Sequence, residues 1–274
     1  MHVSALRIYP VKSTAGLDMS ESLVHPWGLD GDRRWMVVDT EGTTVTARTH
    51  RRLLHVTAVP QQGGGLEMAA PGMPMLHVDV PRGAAAVPLR MSRIESGLVA
   101  GAATDEWLSA VLGTAVRLVW LDDPRRRTVG TTHGGRPGDA LNLSDAGPVL
   151  LTSTTSLARL NDWLRDTASA RREPQPEWLP MVRFRPNIVV DGVDEAFAED
   201  EWKLIRIGDV ELRFGEHCDR CVLTTIDPAT LAGSSEPTRT LARYRQWDHQ
   251  VFFGIRLVPV TTGTVSVGDA LTVC

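Results

Sequence analysis

The chain has 274 residues, of which 42% are hydrophobic and 23% charged, values close to globular averages. Its 33 acidic and 29 basic residues give a net charge of −4, so no overall positive field exists to attract nucleic acid. No apolar run reaches the ~20 residues of a membrane helix, and the opening MHVSALRIYP lacks the features of a secretory signal. We therefore expect a cytoplasmic protein with reduced thiols and with neither a nucleic-acid nor a membrane partner.

Short runs of β-branched and apolar residues, separated by 24 glycines and 17 prolines, recur along the chain. Such frequent turn-forming residues favour many short strands and a β-rich α+β fold. The predicted strands cover residues 6–9, 34–38, 43–47, 53–59, 75–80, 116–121, 188–190, 205–207, 210–214, 251–257 and 265–267.

Apolar residues at helical spacing predict two helices, over 104–112 with Thr104 as N-cap and over 153–165, and a shorter third over 241–247. Because helices do not alternate regularly with strands, a doubly wound parallel sheet is a poor fit. The polar, turn-rich segment 121–138 indicates a seam, and 166–180 is a second predicted loop. We predict two β-rich domains, 1–120 and 121–274.

Basic and hydroxyl side chains follow or precede several predicted strands. Lys12 and Ser13 end the run YPVKS, Arg33 lies in DGDRRW, and Arg185 and Asn187 lie in RFRPN. Each alone is typical of a solvated strand end. Together, such residues can converge on one phosphate group.

The sequence His217-Cys218-Asp219-Arg220-Cys221 is the sharpest local feature. A zinc site would need four ligands, and only distant Cys274 could be added to these. A thioredoxin-like redox pair would open a helix, whereas VLTTI after the pair resembles a strand. Two further readings compete with these: two buried cysteines in a turn, or one thiolate used as ligand or nucleophile, with Arg220 lowering its pKa.

Several segments, in order along the chain, resemble one known family. LRIYPVKS, GLDGDRRWMVVD and VTARTHRRL resemble the N-terminal β-barrel that accompanies MOSC domains, the molybdenum-cofactor-sulfurase C-terminal domains. RFRPNIVVDG, AFAEDEWKLIRIGDVELRF, CDRCVLTTIDP and VSVGDAL resemble the MOSC domain itself. The pattern is most similar to the amidoxime-reducing molybdenum enzymes of mitochondria and bacteria. It implies an N-terminal β-barrel followed by a MOSC β-barrel with a few helices, and the cofactor between them.

The resemblance also implies roles for individual residues. Cys221 would ligate molybdenum, and Asp227 or His217 would relay protons. The remaining contacts to Mo-molybdopterin would come from Lys12, Ser13, Arg33, Ser144, Asp145, Arg185, Asn187, Arg220 and Arg256. Leu231 stands where the family pattern Asp-Pro-x-Thr-Gly has glycine, so we expect a reshaped loop after the cysteines.

The implied activity is a molybdenum-dependent reductase of N-oxygenated small molecules, namely amidoximes, hydroxylamines or N-oxides. Electrons would come from a separate ferredoxin-like or other carrier, because no four-cysteine cluster is present for an iron–sulfur centre of its own. The alternative is a sulfur carrier with a persulfide on Cys221, or a protein that handles the molybdenum cofactor.

Overall fold

A computed structural model describes residues 1–274, and it contains nineteen strands and three helices. The helices are α1 (Ala102–Leu112), α2 (Thr154–Arg171) and α3 (Thr238–Tyr244). The strands are β1 (His2–Ile8), β2 (Leu17–Met19), β3 (Glu21–His25), β4 (Gly28–Leu29), β5 (Trp35–Asp39), β6 (Thr57–Pro60), β7 (Leu66–Ala69), β8 (Leu76–Val78), β9 (Ala86–Met91), β10 (Ile94–Val99), β11 (Val116–Trp120), β12 (Val149–Ser153), β13 (Ile188–Asp191), β14 (Leu204–Ile207), β15 (Val210–Asp219), β16 (Gln246–Trp247), β17 (Gln250–Pro259), β18 (Gly263–Ser266) and β19 (Leu271–Val273).

The largest sheet has nine strands in the order β19-β14-β15-β17-β12-β13-β1-β2, with β16 paired to β17. Its pairs are antiparallel except β12 and β13, which run parallel and are joined by α2. Strand β1 pairs with β13, so Leu6 lies opposite Ile188, and β18 pairs with β3 in a small separate sheet. The first and last parts of the chain therefore share sheets.

The N-terminal half also contributes a four-stranded sheet, β5-β11-β10-β9, and a three-stranded sheet, β6-β7-β8. A core of 17 buried residues fills the space between these strands, short 3₁₀ turns and α1. This core includes Ile226 from the far end of the chain, just after the cysteine pair. Burial of Ile226 fixes the segment that follows Cys221 against the N-terminal half.

The β-rich α+β prediction is confirmed, and the three predicted helices exist with shifted bounds. Helix α1 begins at Ala102 with Gly101, not Thr104, as its N-cap. Helix α2 runs on to Arg171, so the predicted loop at 166–180 begins too early. Helix α3 ends at Tyr244, because the chain then turns into the hairpin of β16 and β17.

Two strand predictions are wrong, and the one over 53–59 is wrong for residues 53–55, which belong to the 3₁₀ turn Arg51–His55. Residues 43–47 make only isolated bridges, and Val222–Thr225 forms one turn of 3₁₀ helix, not a strand. β-Branched composition misleads at both places because neighbouring elements decide whether the ladder continues. None of the three helices combines the length and apolarity that a membrane crossing requires.

Candidate functional site

A cleft between the two halves collects most of the residues that the sequence singled out. It brings together Cys221 and all nine predicted cofactor contacts: Lys12, Ser13, Arg33, Ser144, Asp145, Arg185, Asn187, Arg220 and Arg256. Asp227 and His217 do not line it. Residues separated by more than 240 positions in the chain therefore meet on one wall.

Three cleft residues have left-handed backbone conformations that side chains other than glycine rarely adopt. They are Ser13, Arg33 and Arg185, with φ of 71°, 47° and 56°. Such conformations cost free energy and cluster at functional sites, where the surrounding structure holds them in place. Here the constraint comes from main-chain bonds, such as Arg33 N to Tyr9 O at 2.8 Å.

Tyr9 is fully buried and organises the cationic side of the cleft. The guanidinium carbons of Arg33 and Arg185 lie 4.7 and 4.1 Å from its ring centroid. Its hydroxyl donates to Pro186 O at 3.2 Å. An aromatic ring in contact with two guanidiniums helps to hold both in place and offsets part of their mutual repulsion.

Asp32, which is fully buried, provides the opposite charge beneath Arg33. Its carboxylate accepts from Arg33 Nη1 at 2.6 Å and from the Tyr9 amide at 2.7 Å. Asn187 Oδ1 accepts from the same Arg33 nitrogen at 3.1 Å, and Asn187 Nδ2 donates to Arg7 O at 3.1 Å. Asn187 therefore orients Arg33 across the joint between the two halves.

A buried lysine ties the loop 142–147 to the N-terminal half. Lys12 Nζ donates to Leu143 O at 2.9 Å and pairs with the Asp145 carboxylate. Burial lowers the pKa of Lys12, with Asp145 opposing, whereas the Lys12 charge holds the pKa of Asp145 well below its usual range. Arg127, fully buried, donates to Ser144 O at 2.7 Å and clamps the loop from behind.

The two cysteines of the pair occupy different environments. Cys218 is 3% exposed, and its Sγ accepts from Arg220 Nη1 at 2.8 Å. Cys221 is half-buried, and its thiol makes no hydrogen bond within the chain. We expected Arg220 to act on the Cys221 thiol, and this contact is not formed. The Arg220 guanidinium instead donates to Cys218 Sγ and to Phe184 O.

Two guanidiniums at the cleft carry buried nitrogen atoms without a partner, Arg185 Nη2 and Arg220 Nε. Burial lowers the pKa of Arg185 to about 10, which leaves it protonated at neutral pH. A buried donor without an acceptor costs about 1–3 kcal/mol, more when charged. An anionic ligand with several acceptor oxygens would remove this cost, so the donor set fits a phosphate-bearing cofactor.

Arg256 differs from these residues because carboxylates already satisfy it. Its Nη1 lies 2.5 Å from Glu216 Oε1, and its Nη2 lies 2.7 Å from Asp219 Oδ1. Burial acts to lower the pKa of Arg256, but its neighbours Cys218, Asp219 and Glu216 raise it overall. Arg256 therefore builds the wall of the cleft, next to Gly147, where a Cβ would lie 2.7 Å from the Arg256 Cβ.

Asp227 caps a turn outside the cleft. Its Oδ1 accepts from the amides of Ala229 and Thr230 at 2.8 and 2.9 Å, and these bonds lower its pKa. Leu231 in this turn has φ of 60°, so it adopts the left-handed conformation that glycine takes without strain. The predicted proton relay through Asp227 stays a prediction, and the structure places its carboxylate in a structural turn. His217 packs edge-on against Phe214 and Trp247.

Sequence reasoning missed two cleft arginines, Arg48 and Arg183. Arg183 Nε donates to Thr224 O at 2.8 Å, and its Nη1 lies 3.4 Å from Asp227 Oδ2. Both arginines lie inside segments that carried the family resemblance, VTARTHRRL and RFRPN. Their positions within these motifs, close in sequence to other predicted cofactor contacts such as Arg185, could have identified them.

Comparison with known proteins agrees with this geometry. Residues 1–115 match the model of the MOSC N-terminal beta barrel domain, and residues 136–272 match that of the MOSC domain. The mitochondrial amidoxime-reducing component 1 of Homo sapiens is 36% identical, over 97% of this chain and 81% of its own length. The mitochondrial amidoxime reducing component 2 of Rattus norvegicus is 34% identical, with the same coverage of both chains.

Among solved structures, the YuaD protein of Bacillus subtilis covers 98% of this chain and 93% of its own, with 11% identity and a TM-score of 0.40. We draw nothing from a likeness at that level. The two family models and the full-length relatives show that the chain belongs to the MOSC-domain proteins with an N-terminal MOSC β-barrel, homologous to the mitochondrial amidoxime-reducing components.

Proposed function

We propose that the chain is a reductase of N-oxygenated compounds that depends on Mo-molybdopterin and takes electrons from a separate carrier. The observation that carries this proposal is the single cleft, where Cys221 faces cations from both halves and two guanidiniums have unpaired buried nitrogens. Homology to the amidoxime-reducing components supports it.

The residues present fit such a cofactor. Lys12, Ser13, Arg33 and Arg185 would hold its phosphate, since charged and hydroxyl donors form strong bonds to phosphate oxygens. Ser144 and Asp145 would face the pterin, and the Cys221 thiolate, a polarisable donor, would ligate the metal. When bound, molybdenum supplies two-electron chemistry that cleaves an N–O bond.

The chain's own residues would hold and orient the cofactor and neutralise its negative charge. An amidoxime would take up two electrons and two protons to give an amidine and one water. The two carboxylates on the cleft wall, Asp145 and Asp219, are ion-paired with Lys12 and Arg256, and the Lys12 charge lowers the pKa of Asp145. We therefore propose that the protons come from solvent at the open mouth of the cleft, not from these carboxylic acids.

Metal analysis tests the proposal. Protein made in a host that synthesises the molybdenum cofactor should hold about one molybdenum per chain, and reduced methyl viologen should drive benzamidoxime reduction. Cys221→Ala should lose both, whereas Cys218→Ala should keep the metal, because Cys218 is the buried partner of Arg220. Molybdenum that is absent from the wild-type protein, or equally present in both variants, would contradict the proposed ligand.

One observation favours a second candidate, a persulfide carrier. The half-buried Cys221 thiol is free of hydrogen bonds and lies beside cations that would stabilise an anionic persulfide. Cyanolysis distinguishes the two. Stoichiometric sulfane sulfur on Cys221, with no molybdenum, would replace the reductase proposal by the carrier.

A further inference from the structure

The segment Arg48-Thr49-His50-Arg51-Arg52 forms a positive patch, named here the RTHRR patch, on an otherwise acidic chain. Its three arginines are exposed, and none of its residues takes part in an ion pair. An open surface hollow lies against it, lined by Thr49, His50, Arg51, Arg52 and Leu112, with no carboxylate. The hollow thus combines unneutralised cations with one apolar side chain.

The patch lies at the mouth of the cleft. Arg48 is part of the cleft wall, and its charge contributes to the lowered pKa of Asp145. Arg51 Nη1 donates to Leu231 O at 3.0 Å, in the turn that follows the cysteine loop. Val222, the residue that follows Cys221, is 55% exposed. A partner bound at the patch would therefore reach the rim next to Cys221.

Local structural roles account for only part of this arrangement. Arg52 Nη1 donates to Val111 O at 3.3 Å at the end of α1, where a cation favours the helix dipole. Arg51 supports the 231 carbonyl. One hydrogen bond each leaves most of both guanidiniums open to solvent, and Arg48 makes only a long contact of 3.4 Å to Thr46.

We propose that the RTHRR patch docks an acidic electron-carrier protein, with a negative surface beside its redox group, which reduces the centre held in the cleft. This inference rests on the proposed function and adds where the donor binds and which charge it carries. One-electron carriers would dock twice per turnover, and the two electrons with two protons convert an amidoxime to an amidine and water. Complementary charge speeds such encounters, and interfaces of this kind are small and transient.

The test uses an acidic plant-type [2Fe–2S] ferredoxin and the full-length protein. The double variant Arg51→Gln/Arg52→Gln leaves the cleft wall intact, since neither residue lines it. At low ionic strength we expect the Kd for oxidised ferredoxin, measured by calorimetry, and the KM for reduced ferredoxin to rise threefold to tenfold. The difference should vanish near 1 M salt, where the Debye length falls to about 3 Å.

Two further variants separate charge from structure. Arg51→Lys/Arg52→Lys keeps both charges and should bind ferredoxin nearly as well as the wild type. Arg165→Gln/Arg171→Gln removes two exposed, unpaired cations from α2 and should leave the Kd unchanged. If the α2 variant weakened ferredoxin binding as much as the patch variant does, the effect would come from net charge alone. That result would overturn the patch as the docking surface.

The outcomes also separate this inference from the proposed function. Viologen-driven activity and molybdenum content report on the cleft, and both should be normal in Arg51→Gln/Arg52→Gln. If molybdenum is absent yet ferredoxin binding still depends on the patch, the docking surface stands and the reductase proposal fails. Unchanged Kd in the double variant, or tighter binding of a 20-nucleotide RNA or of anionic vesicles than of ferredoxin, would overturn the proposed partner.

Discussion

At the residue scale, the cleft is built from residues whose burial, charge or backbone conformation costs free energy. Tyr9 is buried with two guanidiniums against its ring, and Arg33 and Arg185 both have left-handed backbones. Asp32 neutralises one cation, while Arg185 keeps a buried nitrogen without an acceptor. Natural sequences tolerate such costs where a ligand compensates for them.

Substitutions of Tyr9 test its role between the cations. Tyr9→Phe removes only the bond to Pro186 O, so we expect a loss of about 0.5–1.5 kcal/mol in the free energy of unfolding and normal molybdenum content. Tyr9→Leu also removes the ring faces beneath Arg33 and Arg185, so it should lower molybdenum content as well. Urea unfolding and metal analysis of both variants measure this. Equal metal content in the two would show that stacking does not position the cations.

At the scale of elements, the start of α2 packs against a buried carboxyl group, Glu199, that no cation neutralises. Glu199 is fully buried, and its oxygens accept from Ser156 Oγ at 2.9 Å and from Ser153 Oγ at 3.2 Å. Ser153 is also the N-cap of the helix, accepting from the Ser156 amide. Burial raises the pKa of Glu199, and the serine hydrogen bonds only partly offset the effect.

Glu199 should therefore make stability depend on pH. Because its folded pKa is raised, the folded state binds more protons, and stability falls as pH rises from about 4.3 through the raised value. Glu199→Gln keeps the shape and an acceptor oxygen, so it should be as stable as the wild type or more so at pH 8. Urea unfolding at pH 5 and pH 8 checks this: the advantage of the variant should shrink at pH 5. An advantage that grows at pH 5 would mean that Glu199 is stabilised as the anion.

At the scale of the whole molecule, the two family domains do not correspond to separate sheets. Strand β1 lies between β13 and β2 within the nine-stranded sheet, and β18 pairs with β3. The 19-residue core of that sheet includes Val3, Leu6, Ile8, Val24 and Leu29 from the start of the chain. A division at residue 120 remains a prediction. Because both parts share sheets, such a boundary would divide the sequence but not the hydrophobic core.

The shared core gives a direct expectation for fragments. Residues 121–274 expressed alone should lack a cooperative unfolding transition, since β13 loses its neighbour β1 and the core loses five buried side chains. Residues 1–120 supplied in trans should restore native circular dichroism and the transition. Thermal scans of the fragment, the mixture and the full chain measure this. A cooperative transition in residues 121–274 alone would mean that the borrowed strand is dispensable.

The sequence by itself determined the β-rich fold class and the three helices, because turn residues and helical periodicity are local signals. The ten cleft residues followed from the resemblance of ordered motifs to a known family. Only the tertiary structure decided which groups touch. It pairs Arg220 with Cys218, places Asp227 in a turn outside the cleft, satisfies Arg256 with carboxylates and adds Arg48 and Arg183 to the wall. These outcomes depend on side-chain direction and on contacts between residues far apart in the chain. The hydrogen bonds and ion pairs that settle them form only when the strands of both halves share their sheets.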